Sequence, residues 1–287
     1  MRAGRRGERG RGLAVGGLVA SAAWVVAGVV GLVALGSLLV VDRDGSGRVT
    51  GEDKMVTGAL QVGDCFNGFQ GENVPRLVTA VPCARPHEGE AVAKLRIPGR
   101  EYPGDAEVEK RADHGCDLKT EHLWKSRYAA DLQPYVFFPS RSSWTLGDRE
   151  VVCLLRYTGS ESLTAPLGRT LDPSLRLWHE LAPRDCMVKW DEESIAQRTV
   201  PCTEPHRIQV YARYALKPGP YPGEKALDRS TDRGCDKRYL KVFRGGREPD
   251  LLSTLYPSKE EWESGHRTAV CLGESEKTLK RPMLPPR

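Results

Sequence analysis

"VPCARPH", residues 81–87, and "VPCTEPH", residues 200–206, are one phrase written twice in a chain of 287 residues. Such a phrase has three readings: a metal site, a pair of catalytic thiols, or a fold that occurs twice. The cysteines around it separate them. Eight cysteines fall at Cys65, Cys83, Cys116, Cys153, Cys186, Cys202, Cys235 and Cys271. The intervals in the first four are 18, 33 and 37, and in the second four 16, 33 and 36. The flanks agree as well. "GDCF" at 63–66 faces "RDCM" at 184–187, and "EYPGDAEVEKRADHGCD" at 101–117 faces "PYPGEKALDRSTDRGCD" at 220–236. "FPSRSSWTLGDREVVC" at 138–153 faces "YPSKEEWESGHRTAVC" at 256–271. Self-similarity at matched spacing is the mark of internal duplication. Two modules are expected, 60–157 and 181–273, each of ordinary domain size.

The chemical readings weigh less. Cys83 and His87 are four apart, as are Cys202 and His206. A structural zinc site usually has four ligands, often with a second closely spaced cysteine pair, which this chain lacks. A Cys–His nucleophile needs a group to orient the histidine, and Glu88 and Glu90 become Arg207 and Gln209 in the second module. The shared residues His87, His206, Trp144, Trp262, Arg149 and Arg267 read as structural: turns, caps and a buried indole. No G-x-S-x-G, H-E-x-x-H or phosphate-binding glycine loop occurs. Neither catalytic residues nor a cofactor are expected.

An even cysteine count suggests disulfides in an oxidising compartment. Each set of four allows three pairings. Val108, Ala112 and Cys116 lie on one face of a predicted helix, and "REVVCLL" reads as a buried strand. That favours Cys65–Cys83 and Cys116–Cys153, then Cys186–Cys202 and Cys235–Cys271. Each module is expected to be α+β, a few antiparallel strands with one main helix.

The compartment follows from the N-terminus. Residues 13–41 carry no charge over 29 positions, enough for a transmembrane helix. The segment before it, 1–12, holds five arginines and one glutamate. Positive flanks stay cytoplasmic, so a single-pass protein of the cell membrane is expected, its modules extracytoplasmic. Ala23, Ala27 and Gly31 recur every four positions, a stripe through which two such helices could associate. The chain carries a net charge of +5, most of it in that basic segment. The remainder is nearly balanced, which argues against a nucleic-acid partner.

Residues 42–59 read as a juxtamembrane linker, 158–180 as a linker between modules, and 274–287 as a disordered tail. Within the first, "DRDGSGRVTGED" offers a candidate calcium loop. Asp42, Asp44 and Ser46 take its positions 1, 3 and 5, and Asp53 stands at 12 where a glutamate is usual.

The set "GDCF…VPCARPHEGEAV…YPG…C…FPSRSSWTLGDREVVCLL" resembles the septum formation family of actinobacteria, here in two tandem copies. The resemblance covers 60–165 well and 180–274 less closely. It implies a role at the division septum and supplies no catalytic residue. The expectation is a non-enzymatic interaction module for cell division or envelope assembly, with envelope or division proteins or a cell-wall component as partner. The alternative is an envelope sensor or ligand-binding ectodomain unrelated to division.

Overall fold

The computed structural model describes residues 41–69, 71, 75–244 and 246–285. Segment 1–12, the expected span 13–41 apart from Val41, and Ala23, Ala27 and Gly31 lie outside them. Among the described residues no helix is long and apolar enough to cross a membrane.

The fold mixes helix and sheet and holds four disulfides: Cys65–Cys83, Cys116–Cys153, Cys186–Cys202 and Cys235–Cys271. In chain order its first elements are β1 (Asp53–Val56), β2 (Cys65–Asn67), β3 (Leu77–Val81), β4 (Gly89–Arg96), α1 (Asp105–Thr120), β5 (Leu132–Phe137), α2 (Arg141–Thr145) and β6 (Glu150–Tyr157). Then come β7 (Leu175–Leu177), β8 (Cys186–Met187), β9 (Ala196–Arg198), β10 (His206–Ala215), α3 (Glu224–Val242), β11 (Leu251–Leu255), α4 (Lys259–Glu263) and β12 (Thr268–Leu279).

The first sheet runs β1-β3-β2-β4-β6-β5, and the second runs β8-β10-β12-β11 when read from its β8 edge. All pairings are antiparallel. Strands β7 and β9 form a separate pair, joined to β8 by a bridge between Cys186 and Val200. In β4 the register against β6 shifts between Ala91 and Ala93, and in β10 it shifts against β12 between Val210 and Ala212. A bulge of this kind bends the strand and raises its twist, which lets the sheet curl around a helix.

The helices start where the sequence allows. Gly104 and Gly223 precede α1 and α3 at φ of 103° and 87°, a region closed to most side chains. Along α1 the buried residues are Val108, Ala112, Cys116 and Thr120, and along α3 they are Leu227, Thr231 and Cys235. That four-residue step puts one stripe against the sheet and carries a cysteine to the strand behind it. Cys116 meets Cys153 on β6, within a core of Ala93, Ile97, Trp144 and Val151. Cys235 meets Cys271 on β12, beside Tyr211 and Phe243.

The structure corrects three segment boundaries. Stretch 42–59, expected as a linker, supplies β1, and Val41, Val49 and Met55 enter the core beside Phe66 and Leu154. Stretch 158–180 supplies β7 and buries Leu163, Leu167 and Leu177. The expected tail from 274 continues β12 to Leu279 and buries Met283 and Leu284 at 1% and 7% exposure. Its polar, proline-rich composition hides these two apolar anchors. Residues 286 and 287 lie outside the described ones.

Candidate functional site

The recurring phrase folds identically in both places. After β3, the Pro82 carbonyl accepts the Arg85 N–H at 2.8 Å, and in the second copy Pro201 accepts Glu204 at 2.8 Å. The corners of the turn are Cys83 and Ala84, and Cys202 and Thr203 in the second copy. His87 Nδ1 then meets the Arg85 carbonyl at 2.8 Å, and His206 Nδ1 the Glu204 carbonyl at 2.8 Å. A carbonyl only accepts, so Nδ1 carries a proton in each ring. Both Nε2 atoms are buried without a partner among the described residues. Burial pushes the His87 pKa down, and its turn hydrogen bond offsets only part of that. His87 is therefore a neutral ring that closes a turn.

The sulfurs of the phrase are not ligands. Cys186, Cys202 and His206 bring their donor atoms within 4.8 Å of one another. Both cysteines are oxidised, as are all eight, and the thiolate is the species that binds metal or attacks a substrate.

Trp144 and Arg149 make one device, and Trp262 and Arg267 its counterpart. Ser140 and Ser258 cap the short helices α2 and α4, each accepting an N–H three residues on. The helices drop Trp144 and Trp262 into the core, where Nε1 donates to the Arg100 carbonyl at 3.1 Å and the Gly219 carbonyl at 2.9 Å. Arg149 lies 3.8 Å over the Trp144 ring, and Arg267 lies 3.9 Å over Trp262. Arg149 also donates to the carbonyls of Trp144 at 2.6 Å and Gly99 at 3.0 Å. Arg267 donates to the Trp262 carbonyl in the same way.

A further matched pair, Glu90 and Gln209, counts in the sequence only as an exchange of residue. Glu90, 6% exposed, stands opposite Cys65 on β4 and accepts the Leu167 N–H at 2.6 Å. Burial raises its pKa, more than that hydrogen bond lowers it. Gln209, opposite Cys186 on β10, accepts the N–H groups of Met283 at 2.7 Å and Leu284 at 3.1 Å. Each side chain grips the segment that follows the last strand of its sheet in chain order. Both lie near a disulfide: Gln209 Nε2 is 3.5 Å from Cys202 Sγ.

A cleft of about 550 Å³ opens beside the Cys65–Cys83 disulfide, between the 44–49 hairpin, the 61–65 turn and residues 164–169. Below it Asp64, 3% exposed, receives Arg43 through two hydrogen bonds of 2.7 and 2.6 Å and the Gln61 N–H at 2.7 Å. The exposed Arg48 and Arg169 stand on the rim.

The candidate calcium loop closes on itself. Arg43 bridges Val49 as in a hairpin, and the Asp44 N–H takes the Arg48 carbonyl, the seventh-position ligand of a calcium loop. Asp44 Oδ1 accepts Ser46 N, Ser46 Oγ and Arg48 N, while Asp53 reaches the Asp42 N–H. Those hydrogen bonds hold the Asp44 pKa down. Asp42, Asp44 and Asp53 do not gather their oxygens at one point.

A polar seam joins the two sheets' surroundings. Glu121, one residue past α1, receives His179 Nε2 at 2.8 Å and lies 3.9 Å from His266 Nε2. The two imidazoles are 4.6 Å apart at their centres. Lys125 binds Glu180 at 2.7 Å, and Trp178 Nε1 binds Glu261 at 2.8 Å. The sequence reading named none of these residues.

A family model described as "Septum formation" matches residues 62–271. No curated protein and no solved structure matches the chain.

Proposed function

The chain belongs to the septum formation family, and from that premise we propose a membrane-anchored, extracytoplasmic protein that acts at the division septum without catalysing a reaction. The match over 62–271, most of the chain, carries the reading. Anchoring rests on the uncharged stretch 13–41 behind five arginines. Placement outside the membrane accords with eight cysteines, all paired. The modules serve as surfaces for an envelope or division protein or a cell-wall component in an actinobacterium.

We further propose that the described fold is two tandem copies of one module. In its support, β2-β4-β6-β5 and β8-β10-β12-β11 share one order, one bulge position and one disulfide pattern. The non-enzymatic reading draws on what the repeated polar residues do. His87, Trp144, Arg149 and their counterparts are taken up by backbone carbonyls and by each other. The Nε2 atoms of His87 and His206, without a partner among the described residues, are buried and so are not presented to a substrate.

Removing the gene tests the role. Loss should give long cells with sparse or misplaced septa, restored by the full chain. Normal septum spacing without the protein would count against it.

A further inference from the structure

We propose that Glu121, His179 and His266 form a binding site for one divalent transition-metal cation of the zinc type, clasped where the two halves of the fold meet. Their ligand atoms already lie within 4.8 Å of one another. His179 Nε2 and His266 Nε2 both face the same carboxylate, at 2.8 and 3.9 Å. Zinc bonds of about 2.1 Å in a tetrahedron separate ligands by roughly 3.4 Å, so small rotations of the rings complete the set. Two imidazoles and one carboxylate match the three-ligand zinc sites that leave a fourth position to water or an outside group. The same donors disfavour calcium and magnesium, which take oxygen.

Position in the sequence argues that these residues are not there for the module. Glu121 lies five residues after Cys116, and the residue five after Cys235 is Leu240. His266 stands where the first half has Asp148. His179 is the middle residue of a 3-10 turn, Trp178–Glu180, whose counterpart Thr57–Ala59 has Gly58 there. Each of the three gives way to a different residue at the matching place in the other half, so the module forms without them.

The surroundings hold the ligands in place. Glu121 and Lys125 share one short helix, Glu121–Lys125, and Lys125 is tied to Glu180, the neighbour of His179. Trp178, on the other side of His179, is tied to Glu261 of α4. The Glu261 carbonyl in turn accepts the His266 N–H at 2.9 Å. These contacts fix the segments that carry the ligands, and hydrogen bonds made by ligating groups themselves commonly matter 10–100-fold in affinity. All three side chains remain partly exposed, at 28%, 17% and 19%, so an ion can enter.

The test is equilibrium dialysis of the full, unreduced chain, stripped by chelator, against zinc ions, with metal counted by elemental analysis. One zinc per chain is expected. His179→Gln, His266→Gln and Glu121→Gln should each weaken binding by about 100-fold or more, since losing a ligand should cost at least what losing an outer contact costs. His114→Gln, which removes a hydrogen bond to Ser264 and leaves all three proposed ligands in place, should bind as the parent does. Thermal unfolding of every variant without reductant shows that the fold is kept, which separates a lost ligand from a lost fold. Zinc bound equally by parent and the Gln variants, or not bound by the parent, overturns the proposal.

Discussion

Glu90→Gln should make the protein more stable at neutral pH and leave it unchanged in acid. Glu90 is 6% exposed, accepts one N–H from Leu167, and is offered no cation among the described residues. An ionised carboxylate so placed loses its water for one hydrogen bond. Its pKa is raised, mainly by burial. The sign follows. Below the unfolded pKa of about 4.3 the group is protonated in both states and exacts no penalty. As pH rises the unfolded chain releases the proton first, so stability falls until the folded pKa is passed. Glutamine keeps an acceptor for Leu167 and cannot ionise, and Gln209 already does this at the matching place. Forfeiting the charge costs about 1 kcal/mol of hydrogen bonding. Removing the buried charge returns more, for a net gain of about 1–2 kcal/mol, or roughly 3–6 °C in Tm. Glu90→Leu strands the Leu167 N–H and should lose about 1–3 kcal/mol in acid, and less near neutrality, where the parent bears the buried charge. Thermal unfolding of both variants without reductant, near neutrality and at about pH 3.5, reads the effect. A parent–Gln difference that does not change with pH would refute the reasoning, as would a Gln variant that melts lower at neutral pH.

Arg149→Lys should cost about 2 kcal/mol, because an ammonium cannot bond Gly99, Arg100 and Trp144 together, and a urea midpoint reads it. Replacing the pair Cys235 and Cys271 by alanine opens a 36-residue loop and should cost about 4 kcal/mol, against about 3 for the 16-residue Cys186–Cys202 pair; equal midpoints for the two would contradict the loop argument. Ending the chain after Leu279 strips Met283 and Leu284 from the core and the two N–H partners from Gln209. It should cost about 3 kcal/mol or more, and unaltered unfolding would show the tail to be dispensable.

The disulfides and main helices were legible because their signals are local. Cysteine spacing repeats within the chain, and a four-residue apolar step reports a helix face whatever it packs against. Strands β1 and β7 were not, since four and three residues are too few to show alternation, and they sit among turn residues that read as linker. The tail failed for a related reason. Its docking depends on Gln209, 74 residues upstream of Met283, and no local pattern announces that. Glu90 was seen only as a residue that fails to repeat. Its exchange for Gln209 was in fact one acceptor replacing another at a matched site. The seam was illegible altogether, because Glu121 and His179 are 58 residues apart and the repeat comparison sets aside whatever does not recur.

The most direct test of the division role is where the protein goes. A full chain carrying a fluorescent tag on its C-terminal side, imaged through growth, should gather as a band at nascent septa and leave when separation is complete. An even outline around the cell at every stage would contradict the account.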